Sequence, residues 1–224
     1  LVKISDHAAE REPEPRLLFH GAQHANEGLG TGAIMRQIAA LLDGYGDDPA
    51  VTARVDGLEL FFAPVINPDG HVYVFGPNAH WADWRKTLRD NDGDGAPDFP
   101  GDGVDTNRNW DWWWEQYDDV DGPGSQKYKG PYPFSEPEVV AIRDWVLDQR
   151  PLLVLDYHSP VTISWTNYIF WPWMSQHGHG YSPDEPVARD LAGGWADHTE
   201  PQPGRGYPGR RSPAARSGTT GVVI

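Results

Sequence analysis

The sequence contains no cysteine, so it can form neither a disulfide framework nor a thiolate metal site. Any metal ion that it holds must be bound by imidazole nitrogens and carboxylate oxygens. Basic side chains are also scarce, with 18 Lys and Arg against 33 Asp and Glu and a formal net charge of -15. Phosphate backbones repel such a chain, so we do not expect a nucleic-acid partner.

Long hydrophobic runs are missing as well. The chain opens on "LVKISD" without a basic leader, and we expect neither a signal peptide nor a membrane span within these residues. The length of 224 residues suits one domain with a sizeable core. Because the first residues resemble part of a strand and the closing "GTTGVVI" resembles the start of another element, we interpret residues 1–224 as a single, incomplete domain.

Short apolar runs at residues 17–19, 58–66 and 152–156 predict strands of one largely covered sheet. Between the first two, "TGAIMRQIAALLDGYG" predicts a helix that stops at Gly44. The apolar face of this helix would consist of Ile34, Ile38, Leu41 and Leu42. Strands that alternate with helices predict an α/β fold whose loops at the strand ends carry the function.

A further helix is predicted from "SEPEVVAIRDWVLDQR", with Ser135 and Glu138 as a capping box and Pro137 in the first turn. Residues 81–130 are rich in Trp and Gly, and we interpret them as a long ordered loop, too polar and turn-rich to form core. After Glu200, a Pro/Gly/Arg stretch indicates a surface segment.

His24 and Glu27 lie three positions apart in "HGAQHANE", where the first predicted strand ends and the helix begins. A turn of this kind can direct both side chains to one point above the sheet. The spacing alone is weak evidence, because His7 and Glu10 repeat it without an apolar strand before them, and we interpret that copy as a solvated loop. A metal site at His24 and a coincidence therefore both stay open until a third ligand is found.

His158 is a candidate third ligand, because it follows another buried strand in "LVLDYHSP". Strand ends in α/β sheets meet at a common crevice. Two imidazoles and one carboxylate with an open fourth position are the ligand set of a catalytic zinc ion. The alternative for His158 is a core histidine that is hydrogen-bonded to the backbone.

Seven motifs follow one another along the chain: "HGAQHANE", "INPDGH", "WRKTLRDN", "GVDTNRNWD", "SEPEV", "LDYHS" and "IFWPW". In this order they make the sequence resemble the zinc carboxypeptidases of the carboxypeptidase A type along nearly its whole length. The resemblance implies a three-layer α/β/α fold with a mixed, mostly parallel central sheet. It also implies hydrolysis of the C-terminal peptide bond of peptides or proteins, and a secreted or periplasmic location.

The same resemblance implies roles for particular residues. His24, Glu27 and His158 would hold one Zn²⁺, which leaves a position for water and the scissile carbonyl oxygen. Asp105, in "GVDTNRNWD", would accept the other ring proton of His24 and so fix its tautomer. The alternative for Asp105 is an Asx-type turn.

Asn107 and Arg108 would bind the terminal carboxylate of the substrate, which suits the paired donors of a guanidinium group. Arg85, in "WRKTLRDN", would face the oxyanion that develops on the scissile carbonyl. Without its motif, each arginine is more often part of a surface ion pair.

The family also uses a glutamate on a late strand as general base and acid. Only Glu185 and Glu200 follow His158 in this chain, and neither lies in an apolar strand, so neither is assigned. Two alternatives to an active carboxypeptidase therefore stay open. One is a catalytically impaired module that holds zinc and binds C-terminal carboxylates, and the other is a peptidoglycan peptidase that uses the same site.

Asp90, Asp92 and Asp94 alternate in "RDNDGDGAPD", a run of oxygen ligands that is suited to Ca²⁺. The run matches only the front of an EF-hand loop, because the bidentate glutamate is missing. A well-solvated acidic turn is the alternative, and both interpretations stay open.

Overall fold

The computed structural model describes residues 1–112, 114–115 and 122–159, together with short pieces at 169–170, 186–188, 190–191 and 222–223. Residues 160–168 and most of the chain after residue 170 lie outside the described residues. The predicted surface segment after Glu200 and the two late glutamates, Glu185 and Glu200, fall there. None of the helices in the described part is long and apolar enough to span a bilayer.

The described strands form one sheet with the order β1-β3-β2-β4-β6-β5. Their bounds are β1 Val2–Ile4, β2 Arg16–Gly21, β3 Glu59–Ala63, β4 Leu153–Tyr157, β5 Ile169–Phe170 and β6 Val222–Val223. Strand β2 is parallel to both β3 and β4, whereas β1 and β6 run antiparallel to β3 and β4 respectively. The predicted strand over residues 58–66 is shorter in the structure, since Pro64 has no N–H to donate.

The helices are α1 Gly28–Gly44, α2 Pro49–Val55, α3 Pro68–Phe75 and α4 Pro137–Gln149. Phe62 of β3 packs in the main core with Ile34 of α1. Its neighbour Phe61 instead contacts Trp145 of α4, with ring centroids 4.9 Å apart. Because successive strand residues point to opposite faces of a sheet, α1 and α4 cover opposite faces. The predicted three-layer α/β/α fold with a mixed, mostly parallel sheet is confirmed.

The predicted apolar face of α1 is correct for three residues and wrong for one. Ile34 and Ile38 are buried, and Leu41 packs against the same cluster. Leu42 is 63% exposed. At 3.6 residues per turn, Leu42 lies roughly 80° around the helix from Ile34, at the edge of the covered stripe.

The predicted capping box at the start of α4 is wrong. Glu136 is the N-cap residue and makes no side-chain cap, although Pro137 does occupy the first turn. The Ser135 hydroxyl donates to the Glu136 carboxylate at 2.8 Å, and that carboxylate also accepts a hydrogen bond from Thr87 at 2.9 Å. The side chains of Ser135 and Glu136 therefore form their hydrogen bonds within the preceding loop and do not cap the helix.

The described residues between 81 and 130 form the predicted long loop, and their helical pieces are only the short turns Thr106–Arg108 and Gly122–Gly124. The expectation that this loop contributes no core is wrong. Trp84 and Val104 are fully buried, and Trp84 forms a second small core with Ala25 and Val74. The Trp84 indole N–H donates to backbone carbonyls of the same loop, which removes the cost of burying its polar atom.

Glu59, at the start of β3, is a buried carboxylate that ties β1 to β2. Its oxygens contact Lys3 Nζ at 2.6 Å and the guanidinium of Arg16. Burial alone would raise the pKa of Glu59, but the hydrogen bond from Lys3 and the charges of Lys3 and Arg16 lower it. The carboxylate is therefore ionised and paired in the folded protein.

We expect Glu59→Gln to lower the free energy of unfolding by about 3 kcal/mol at neutral pH, because both partly buried cations lose their partner. The folded-state pKa lies below the unfolded value of 4.5, so the pairs stabilise the fold above that pH. Their contribution is lost as the pH falls through the folded-state pKa, and the two proteins should then converge. Denaturant unfolding at several pH values measures this, with the exposed Glu10→Gln as control. Equal stability of Glu59→Gln and the unsubstituted protein at neutral pH would contradict the prediction.

Candidate metal centre

His24, Glu27 and His158 come together at the carboxyl ends of β2 and β4. One ligand atom from each lies within 4.8 Å of the others. His24 Nδ1 is 2.8 Å from Glu27 Oε1, and His158 Nδ1 is 2.9 Å from Glu27 Oε2. The two Nδ1 atoms are 3.1 Å apart. The predicted ligands therefore converge on one point, and all three side chains are buried there.

The backbone explains this convergence. In the parallel pairing of β2 with β4, Gly21 is opposite Tyr157, so His158 begins one residue beyond the last pair. A Cβ added at Gly30, in the first turn of α1, would lie 2.8 Å from the Tyr157 carbonyl oxygen. Only glycine permits this approach of α1 to β4, and the approach holds Glu27 beside His158.

Asp105 contacts both His24 and Arg85. Its Oδ1 lies 3.2 Å from His24 Nε2, and its Oδ2 accepts from Arg85 Nε and Nη2 at 3.1 and 3.0 Å. The same Oδ1 accepts the Asn107 backbone N–H at 2.9 Å, which is an Asx-type turn. The two interpretations of Asp105 are thus compatible. Burial alone would raise the pKa of Asp105, but the charges of Arg85 and His24 hold it well below its usual range.

The site contains a third buried carboxylate, Asp156, which the sequence interpretation missed. Its Oδ2 is 2.7 Å from His158 Nε2. The available signal was the spacing in "LDYHS", since residues two apart in an extended strand point to the same side. Burial opposes ionisation of Asp156, but His158 and His20 outweigh it and keep its pKa below its usual range.

The charges of the cluster reinforce one another. Burial alone would raise the pKa of Glu27, but hydrogen bonds with His158 and His24 lower it to about 2. Burial alone would lower the pKa of His158, but Asp156 and Glu27 raise it to about 10. The carboxylates thus favour positive charge at the point where the ligand atoms meet.

The other predicted site residues lie around this cluster. Arg85 Nη1 is 3.6 Å from Glu27 Oε1, and the Arg85 side chain keeps 17% of its surface exposed. Asn107 Nδ2 is 3.5 Å from His158 Nε2, and Arg108 Nη1 donates to the Asn107 carbonyl at 3.0 Å. The structure therefore places Arg85 beside the cluster and Asn107 next to His158, with Arg108 in contact with Asn107.

The alternating aspartates lie apart from this cluster in the loop. Asp90 accepts backbone N–H groups from Gly93 at 2.6 Å and Gly95 at 2.9 Å, and these bonds lower its pKa. Oxygens of Asp90, Asp92 and Asp94 also lie within 4.8 Å of one another and of Asp102. The hydrogen bonds from backbone N–H groups to Asp90 are enough to explain a stable acidic turn. Calcium binding stays a prediction.

The second His-x-x-Glu copy is exposed. The His7 side chain is 61% exposed and contacts Asp6 and Glu12, whereas Glu10 is joined to His7 only through a backbone turn. The raised pKa of His7 comes mainly from the charges of Asp6 and Glu12. The structure thus places this copy in a solvated loop, as interpreted from the sequence.

The family model for zinc carboxypeptidases matches residues 1–217. Carboxypeptidase A2 of Rattus norvegicus is 35% identical over 133 residues, which is 59% of this chain and 30% of that protein. The crystal structure of carboxypeptidase A from Helicoverpa armigera matches with a TM-score of 0.64 and 26% identity, over 86% of this chain and 43% of that one.

A relative from Ajellomyces capsulatus, named "Inactive metallocarboxypeptidase ECM14", is 28% identical over 158 residues, which is 68% of this chain and 25% of that protein. The chain thus spans less than half the length of each of these three relatives. The match to the family model nevertheless covers almost all of its 224 residues. The chain therefore belongs to the zinc carboxypeptidase family.

Proposed function

We propose that this protein is a zinc-dependent carboxypeptidase that hydrolyses the C-terminal peptide bond of peptides or proteins. The observation that carries the proposal is the convergence of two imidazole Nδ1 atoms and one carboxylate within 4.8 Å. Membership of the family agrees with it. A secreted or periplasmic location is part of the same proposal and rests on the resemblance alone.

The donor set fits zinc. His24, Glu27 and His158 offer two nitrogens and a carboxylate, the set that leaves a fourth position open in catalytic sites. Both rings have Nε2 against a carboxylate, so a proton on Nε2 leaves the Nδ1 lone pair directed at Glu27. Bound zinc would polarise a peptide carbonyl and make water a stronger nucleophile at neutral pH.

Arg85 would stabilise the negative charge that develops on the scissile carbonyl oxygen. Asp105 holds its guanidinium through Nε and Nη2, and Nη1 remains directed toward Glu27. Because Asp105 contacts His24 through its other oxygen, one carboxylate orients both the ligand and the arginine. A guanidinium held in this way would need little reorganisation during the reaction, which favours effective stabilisation.

Asn107 and Arg108 would bind the terminal carboxylate of a peptide. Asn107 lies next to His158 and Arg108 contacts Asn107, so a carboxylate bound by this pair would bring the last peptide bond of the chain to the cluster. A guanidinium can form two parallel hydrogen bonds to a carboxylate, which favours a chain end over an internal segment.

A catalytically impaired module remains the second candidate. It is favoured by the relative that is named inactive. Such a module would bind zinc and C-terminal carboxylates without turnover. A peptidoglycan peptidase would use the same residues, and cell-wall peptides tested beside protein-derived peptides would separate the two substrates.

We expect one zinc ion per chain by elemental analysis after dialysis, and its loss in His158→Ala. The matched control is His7→Ala, which removes a histidine from the exposed His-x-x-Glu copy and should keep the zinc. Zinc retained in His158→Ala and lost in His7→Ala would contradict the assignment, as would a wild-type chain without zinc.

We expect Arg108→Ala to weaken binding of peptides with a free C-terminus by about 10–100-fold, the range for a hydrogen bond to a charged group. Binding of the same peptides with an amidated C-terminus should not change. Exposed Arg36→Ala is the control. This binding measurement does not require turnover, and an equal loss for both kinds of peptide would count against carboxylate recognition.

We expect release of free amino acids from peptide C-termini, and a fall in kcat of about 10²–10³-fold in Arg85→Ala at saturating zinc. Chromatography of the released amino acids measures this. Zinc binding without release in the unsubstituted chain would favour the impaired module. An unchanged kcat in Arg85→Ala would remove its role at the oxyanion.

A further inference from the structure

A buried polar cluster on the β2–β4 pair lies behind the His158 ring, and the proposed function uses only its contact with that ring. Asp156, 5% exposed, lies at its centre, at the carboxyl end of β4 and two residues before His158. Because the two residues lie on the same side of the extended chain, the Asp156 carboxylate reaches the far side of the His158 ring. The distance from Asp156 Oδ2 to His158 Nε2 is 2.7 Å.

Two residues from β2 and the turn after it hold Asp156 in this position. His20 is its register partner across the parallel pair, and His20 Nδ1 lies 3.1 Å from Asp156 Oδ1, at ion-pair distance but without hydrogen-bond geometry. The Gln23 side-chain amide donates to Asp156 Oδ2. His20 is 4% exposed and Gln23 is 4% exposed, so water does not compete for the carboxylate. Asp156 is thus fixed on one side by β2 and on the other by His158.

The arrangement repeats the one at His24. There, Asp105 Oδ1 faces the ring Nε2 at 3.2 Å, and Nδ1 faces Glu27. At His158 the carboxylate of Asp156 occupies the corresponding place, and Nδ1 again faces Glu27. A carboxylate on one ring nitrogen selects the tautomer that carries its proton there and leaves the other nitrogen free to bind a metal.

We infer that Asp156 is a positioning residue for the metal centre: it fixes the ring orientation and the Nε2–H tautomer of His158, and His20 and Gln23 hold its carboxylate in place. The inference rests on the proposed zinc site. It assigns the site two supporting carboxylates, Asp105 for His24 and Asp156 for His158, rather than one.

Zinc affinity, measured by competition with a chelator of known affinity, tests the inference without any need for turnover. We expect Asp156→Asn and Asp156→Ala to bind zinc about 10–100-fold more weakly than the unsubstituted chain, the range found when such partners of a ligand are removed. Asp105→Asn should weaken binding by a similar factor. Glu59→Gln is the matched control, because it removes a buried carboxylate of the same sheet away from the site, and it should bind zinc normally.

A second measurement needs no substitution, and it tests the role of Asp156 even if the Asp156 variants do not fold. In the zinc-loaded unsubstituted protein, NMR of the imidazole nitrogens should show His158 with its proton on Nε2, protected from exchange with water. A rapidly exchanging Nε2 proton would overturn the inference.

The outcomes separate the two claims. If the unsubstituted chain and Glu59→Gln bind zinc and the Asp156 variants bind it equally well, the role of Asp156 is overturned and the zinc site stands. If the unsubstituted chain binds no zinc, the proposed function fails, and the role of Asp156 fails with it.

Discussion

The parallel pairing of β2 with β4 is the constraint on which the site depends. The pairing sets Gly21 opposite Tyr157, and the chain leaves the two strands at the same edge of the sheet. His24 and His158 therefore meet although 134 residues separate them in the sequence. A shift of one residue between these strands would move His158 to the other face of the sheet and remove it from Glu27. The remaining site residues therefore add to positions of His24 and His158 that the strand pairing determines.

The long loop supplies Arg85 and Asp105 to the site. Buried polar groups hold its described residues in place. Lys86 is buried and donates to the carbonyls of Pro100 and Pro123, at 3.3 and 2.7 Å. Gly103 has φ of +80°, and a Cβ there would lie 2.3 Å from a loop carbonyl oxygen, so the loop closes on itself only with glycine at this position. A polar, turn-rich composition is thus compatible with a well-packed segment when its polar atoms are paired.

The sequence predicts the layers of the fold and the convergence of the ligands, because both follow from short-range patterns: apolar strands, helical spacing, and histidines at strand ends. It does not predict features that depend on a distant partner. The capping box at Ser135 fails since residues of the loop occupy that hydroxyl and the Glu136 carboxylate. Asp156 was missed for the same reason, because an Asp two residues before a His becomes informative only once the parallel register brings His20 and Gln23 against it.

Charge balance connects the fold with the proposed metal. Glu27, Asp105 and Asp156 are buried carboxylates whose pKa values all lie below their usual range, and Arg85 is the guanidinium that contacts two of them. Buried like charges are costly unless cations compensate them. The raised pKa of His158 follows from the same excess of negative charge, because Asp156 and Glu27 favour the charged imidazole. A divalent cation would supply the two missing positive charges directly. Both rings would then be neutral, each with one nitrogen toward the metal and the other toward its carboxylate, so a single arrangement of side chains satisfies the electrostatics of the core and the requirements of a ligand set.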